Sequence, residues 1–123
     1  MIELLLAEAA FCVPAAERPP VAVVDEFVFA YNAHDLGRMR QVVTADASMG
    51  SPDKRTSGQE VLARYESVVF VRYPEVRIEV EDRLAADDIV AQMESVEGLW
   101  EPTRGLTIYR VNGGCIVEMG ISQ

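Results

Sequence analysis

Few residues of this chain have the types and spacing that could do chemistry, and they stand apart. His34 is the single histidine and the natural candidate for acid-base work near neutral pH. It lies in the corner Asn32-Ala33-His34-Asp35, a setting that suits a structural or solvent-exposed imidazole, because the flanking polar side chains compete for nearby backbone groups. Cys12 and Cys115 are far apart with no metal-type spacing, so reduced thiols in a cytoplasmic protein are expected. Cys115 follows a hairpin signal and reads as a small apolar filler at a strand start, not as a nucleophile. Carboxylates gather over Glu75–Asp82 and at Asp87 and Asp88. Arg77, Glu79, Glu81 and Arg83 alternate as a solvated or subunit-facing sheet surface would, and the second pair reads as a turn. With one histidine and no cysteine cluster, no metal site and no cofactor are expected.

The elements that must position any site follow from hydropathy period. Val24, Phe27, Val28 and Tyr31 fall at i, i+3, i+4 and i+7, one stripe of a helix with Asp25 and Glu26 turned to water. Asp35 can cap a second helix carrying Leu36, Met39 and Val43. Residues 44–51 are short and rich in small and polar types, and Pro52 cannot donate to a central ladder, so an edge strand or turn is predicted there. Ser57 with Glu60 makes a capping box ahead of Val61, Leu62, Tyr65, Val68 and Val69, and this third helix should stop before Pro74.

Beyond Pro74 the period changes to two, with Val76, Ile78 and Val80 alternating with Arg77, Glu79 and Glu81. Residues 85–88 supply a turn, residues 89–97 and 106–111 read as strands, and Asn112-Gly113-Gly114 signals a hairpin into a last strand over residues 115–121. Three helices and a four-stranded antiparallel meander predict an α+β fold whose helices cover one face of a curved sheet and leave a cavity.

Composition narrows the function classes. A chain of 123 residues, half of them hydrophobic, is sized for one domain. The reading divides it into an extension over residues 1–20, a helix plus a proline-rich linker, and a domain over residues 21–123. Ile2, Leu5, Leu6 and Ala9 can share a helical face, which suits a helix packed on the domain or on a partner subunit; a lid over the cavity mouth is the alternative. The extension has neither the basic start of a signal peptide nor the length to span a bilayer. A net charge of −9, with eleven unclustered Lys and Arg, argues against nucleic acid and anionic membranes as partners.

The run from Val24 to Gly58, VVDEFVFAYNAHDLGRMRQVVTADASMGSPDKRTSG, resembles the opening of the nuclear transport factor 2-like superfamily in its SnoaL-like and ketosteroid isomerase-like branch, and the likeness continues to Gln123. The resemblance implies a cone of helices on a curved, mainly antiparallel sheet, a cystatin-like roll, around a pocket for a small organic molecule. It also implies a homodimer formed through the convex side of the sheet. The Asn-x-x-Asp corner matches a hallmark of the superfamily, in which both polar ends cap helices.

Site residues carry over unevenly. Ketosteroid isomerases place a carboxylate base before a proline; here Ser51 precedes Pro52 and the nearest acid is Asp53, one position beyond. The helix-borne tyrosine of the isomerase oxyanion hole falls at Phe27, with Tyr31 one turn later. The protonated aspartate of that site falls at Arg104, where a planar fork of donors facing inward would prefer a carboxylate, phenolate or enolate. A loop position after Pro102 facing water is the open alternative. Epoxide hydrolases need an acid on the last strand; Glu118 is the one available, and alternation turns it outward if Met119 and Ile121 face the cone.

The sequence thus predicts a pocket protein accepting a small apolar molecule among Phe27, Tyr31, Tyr65, Met93, Leu106, Ile108 and Met119. Two functions are open: isomerisation or cyclisation of an apolar carbonyl compound, with Arg104 stabilising negative charge and Asp53 or a water moving the proton, or a ligand-binding or dimerisation module without turnover.

Overall fold

The computed structural model describes residues 10–122. The predicted helix within residues 1–13 falls largely on residues 1–9, outside the described residues. Helix α1 (Pro20–Asn32) opens on a proline at its first position, where a missing N–H costs nothing. Its apolar stripe buries Val23, Val24, Phe27, Ala30 and Tyr31. Asp35 caps α2 (Leu36–Arg40) by accepting from the Arg38 N–H at 3.1 Å. Asn32 caps nothing. Its amide pairs instead with the backbone of Ile78, donating to the carbonyl at 3.0 Å and accepting from the N–H at 2.7 Å, which pins the end of α1 to the sheet.

His34 has the structural role its setting suggests. It takes a left-handed backbone (φ 54°), lies 2.9 Å from the Val76 carbonyl through Nε2, and stacks on Phe70 with ring centroids 4.1 Å apart.

The sheet has six strands, two more than the predicted meander. Strands β1 (Val43–Ser51) and β2 (Lys54–Ser57) form a hairpin around Pro52 and Asp53, and β1 runs parallel to β6. Residues 43–51 are therefore an interior strand, not an edge or a turn. Proline lies in the connection, so it removes no ladder bond. Strands β3 (Arg77–Ala86), β4 (Ile89–Glu97), β5 (Thr103–Asn112) and β6 (Cys115–Ser122) make the antiparallel part, giving the order β2-β1-β6-β5-β4-β3.

Between β2 and β3, Ser57 accepts from the Glu60 N–H at 3.1 Å and starts α3 (Gly58–Arg64). The helix runs through a π-helical turn (Tyr65–Val69) into a last turn, α4 (Phe70–Arg72), and ends ahead of Pro74. Helices α1, α3 and α4 cover one face of the curved sheet, and the buried core lies between them.

Residues 10–18 form a strap across the closed end of the sheet. The Cys12 N–H donates to the carbonyls of Arg40 (2.7 Å) and Val43 (3.0 Å), and the Ala15 N–H to that of Gly113 (3.0 Å). Gly113 takes φ 57° and lies against Pro14 and Ala15 so closely that a Cβ would collide. Cys12 and Cys115 are joined by a disulfide, with Cα atoms 5.9 Å apart. This corrects the expectation of two reduced thiols: positions 103 residues apart in sequence meet because the strap crosses the β5–β6 hairpin, a proximity that spacing does not reveal.

Candidate functional site

The concave face of the sheet and the helices above it enclose a cavity of about 160 Å³. Phe27 and Tyr31 of α1, Tyr65 at the π-helical turn, and Ile78, Glu94, Thr107, Tyr109 and Met119 of the sheet line it. Buried Phe27, Glu94, Thr107 and Tyr109 make its floor, whereas Tyr65, Val96, Thr103, Gly105 and Ile121 are partly exposed and mark its open end. The strap of residues 10–18 meets the hairpin end of β5 and β6, away from that opening. Its described part is therefore not a lid.

The π-helical turn widens the helix where Tyr65 and Phe70 must both face inward. Both rings meet Tyr31 edge-on with centroids 5.2 Å away, and Phe27 meets Tyr109 at 6.0 Å. These T-shaped contacts give an aromatic wall of fixed geometry.

Among the described residues, Glu94 is the one charged residue in this lining. It is 5% exposed, and a carboxylate so deep must be hydrogen-bonded or it costs several kcal/mol. Its Oε2 accepts from the Gln92 amide at 2.7 Å and the Tyr109 hydroxyl at 2.6 Å, and its Oε1 accepts from the Thr107 hydroxyl at 2.9 Å. Each carboxylate oxygen offers about two lone-pair sites, so Oε1 keeps one acceptor position. Gly105 faces Glu94 across the β4–β5 ladder and presents no side chain.

A second layer fixes this arrangement. Arg83 donates to Gln92 Oε1 at 2.7 Å and pairs with Asp25 of α1. Because Arg83 can only donate, it takes the oxygen of the Gln92 amide and leaves the NH₂ for Glu94. Arg83 reaches this side through a β-bulge: the β3–β4 register slips between Val80 and Asp82, leaving Glu81 as the extra residue and reversing which face the later residues occupy. Strict alternation puts Arg83 on the wet face with Arg77 and Glu79; the bulge turns it to Gln92.

The tyrosines remain phenols well beyond neutral pH. Burial, with the Glu94 charge as the lesser cause, pushes Tyr31 up to about 12. Burial first, then Tyr31 and Glu94, raises Tyr65 further. Tyr109 is raised by burial and by its proximity and hydrogen bond to Glu94. Among the described residues the Tyr31 and Tyr65 hydroxyls have no protein hydrogen-bond partner, so two donors border the same cavity as the Glu94 acceptor.

The residues singled out in the sequence divide between the two sheet faces. Phe27, Tyr31, Tyr65 and Met119 line the cavity. Met93, Leu106 and Ile108 do not: they lie on the outer face, paired as Met93 with Leu106 and Ala91 with Ile108. Arg104 is also outer, its side chain 64% exposed and bonded to Glu81 at 2.6 Å. It is a β5 residue opposite Ser95, and strand parity sends it away from the cone. Asp53 is exposed in the β1–β2 turn. Glu118 faces outward to Arg110 at 3.1 Å.

Glu94 and Gln92 escaped the sequence reading because the pattern along β4 is inverted. Ile89, Ala91 and Met93 are apolar yet outer, while Gln92 and Glu94 are polar yet buried between Val90 and Val96. The available signal was that Gln92 and Glu94 share a parity with Val90 and Val96.

The SnoaL-like domain family matches residues 24–119, most of the chain and all of the cavity lining except Ile121. The chain belongs to the SnoaL-like family. No curated protein matches it. Among solved structures, this SnoaL-like chain is similar to an uncharacterised cystatin-fold protein of Novosphingobium aromaticivorans, with a TM-score of 0.77 and 20% identity over 87% of this chain and 100% of that one. It is also similar to IdmH of Streptomyces antibioticus, described as a candidate polyketide cyclase, with a TM-score of 0.74 and 20% identity over 85% of this chain and 91% of that one. A nuclear transport factor 2-like protein of unknown function from Cytophaga hutchinsonii superposes with a TM-score of 0.74 at 11% identity, over 87% of this chain and 91% of that one. At these identities the likeness establishes the fold alone. Among the described residues no group of three or more metal-binding side chains occurs, and no helix is long and apolar enough to cross a membrane.

Proposed function

We propose that this SnoaL-like protein binds a small, mainly apolar carbonyl compound in the cone and isomerises or cyclises it, with Glu94 as the proton-moving group. The observation that carries the reading is a buried carboxylate with one acceptor position left, in a cavity bordered by two tyrosine hydroxyls that have no hydrogen-bond partner among the described residues. Glu94 Oε1 takes a proton from the carbon next to the carbonyl, and the Tyr31 and Tyr65 hydroxyls donate to the carbonyl oxygen as it gains charge. The proton then returns to a different carbon in an isomerisation; in a cyclisation the enolate carbon bonds to the carbon of a second carbonyl, whose π electrons pass to its oxygen, and that oxygen takes the proton back from Glu94. Glu94 and the two tyrosines thereby replace Asp53 and Arg104 as the residues proposed to act. Deuterium incorporation into cyclohexanone in heavy water, followed by NMR, tests the role: the wild type is expected to accelerate it and Glu94→Gln to lose that acceleration.

A second reading, a ligand-binding module without turnover, is favoured by the three donors that already hold Glu94, as a structural carboxylate is held. Ligand binding with no exchange at carbon would select it.

Assembly is proposed to be a homodimer through the outer sheet face. Leu84 is 74% exposed and Ile108 42%, and with Ala91, Met93 and Leu106 they form adjoining apolar rows across β3, β4 and β5. A sheet apolar on both faces needs a second cover. Arg77, Glu79 and Glu81 would rim that contact. The Cys12–Cys115 bond supports an oxidising compartment over the cytoplasm expected from the sequence.

A further inference from the structure

We infer that the cone selects a neutral, single-ring compound that both donates and accepts a hydrogen bond, a phenol or a cyclic enol, and rejects carboxylates and fused polycycles. The inference rests on Glu94 being the polar anchor of the proposed function and adds the size and charge of what it anchors.

Size is set by the cavity. Pockets for drug-sized ligands run from about 300 to 1,000 Å³, whereas an apolar cavity of about 150 Å³ holds one benzene ring. At about 160 Å³ the cone has room for one substituted ring. On the helix side it is walled by Tyr31 and Tyr65, whose rings are backed by Phe70.

Charge is set by what the lining lacks. Among the described residues it holds Glu94 and no Lys, Arg or His. The nearby cation, Arg83, sits behind Gln92 and is already paired with Asp25. An incoming carboxylate would meet an unneutralised like charge in a dry site, where such repulsion is strong. A hydroxyl suits both sides of the site: it donates to the remaining position on Glu94 Oε1 and accepts from a Tyr31 or Tyr65 hydroxyl, whereas an ammonium has no lone pair for those hydroxyls and must shed its water to reach Glu94. One aromatic ring carrying that group fills the rest against edge-to-face partners.

Calorimetric titration of the full-length oxidised protein with phenol, benzoate, benzylamine and the four-ring phenol estradiol separates these attributes, since each probe changes charge or size around the same ring. Phenol is expected to bind at least tenfold more tightly than the other three, and Glu94→Gln to weaken phenol at least tenfold while narrowing its advantage over benzoate. Tyr31→Phe with Tyr65→Phe, which leaves Glu94 and its partners in place, is expected to weaken phenol as well. Benzoate, benzylamine or estradiol binding as tightly as phenol, or phenol binding indifferent to these variants, overturns the inference. Estradiol binding that depends on Glu94 removes the size limit and leaves the proposed function standing. Phenol binding without carbon-proton exchange on small ketones removes the proposed chemistry and leaves the receptor.

Discussion

The Tyr109 hydroxyl donates to Glu94 Oε2 across 2.6 Å, joining β5 to β4 at the floor of the cone. Tyr109 is fully buried and Glu94 nearly so, and the bond is charge-assisted. Tyr109→Phe keeps the ring and removes the donor, so a buried carboxylate loses one of three partners. Stability is expected to fall by about 1–3 kcal/mol, read from urea unfolding. A loss below the error of that measurement would mean that this bond does not hold the site.

Behind that pair, Arg83 orients the Gln92 amide. Arg83→Met keeps much of the aliphatic stem and removes the donors, freeing the amide to turn over and direct its oxygen at Glu94. Phenol affinity is expected to fall about tenfold, while Arg104→Ala, on the outer face, leaves it unchanged. Titration of the two variants side by side checks the difference.

Alkaline pH should unfold the protein through its tyrosines. In the fold Tyr31 is raised from 10.0 to about 12, mainly by burial. A raised acid contributes stability that is complete below its unfolded value and is lost as pH rises through the folded one. The loss is therefore expected between about pH 10 and 12 and is on the order of 3 kcal/mol for Tyr31 alone, with Tyr65 and Tyr109 shifted in the same direction. Near-ultraviolet tyrosinate absorbance should show these three of the four tyrosines ionising together with loss of ellipticity.

Reducing Cys12–Cys115 opens a ring that spans most of the chain. Removal of a native disulfide typically costs about 2–5 kcal/mol. The midpoint of urea unfolding is expected to fall on adding reductant, and equally in Cys12→Ser, which then shows no further response to reductant. Thiol titration of the untreated protein should find no free thiol.

On the outer face, Ile108→Asp places a charge in the apolar rows. It is expected to convert the proposed dimer to monomer in sedimentation analysis without altering phenol affinity, because the side chain projects away from the cavity.

The helices and most strands were legible in sequence because each has one dry side and a clear period. Val24, Phe27 and Tyr31 mark α1, Ser57 with Glu60 marks the start of α3, and Asn112-Gly113-Gly114 marks the last hairpin. The site was legible only on its helical side, at Phe27, Tyr31 and Tyr65, and at Met119. On β4 and β5 the apolar residues Met93, Leu106 and Ile108 occupy the outside while Gln92, Glu94 and Thr107 are buried, so hydropathy names the wrong side. The parallel pairing of β1 with β6 and the meeting of Cys12 with Cys115 are long-range facts for which local period carries no signal.

The extra residue in β3, Glu81, couples chain length to wiring. Deleting it would close the bulge and leave Arg83 opposite Gln92, because Val80, Asp82 and Arg83 already pair in step with Glu94, Met93 and Gln92; one residue added after Asp82 would instead put the newcomer opposite Gln92 and swing Arg83 out to water. A one-codon insertion in this edge strand would thus strip the cation from behind the buried acid, whereas loss of Glu81 would not, so the direction of a length change here matters more to ligand choice than most substitutions.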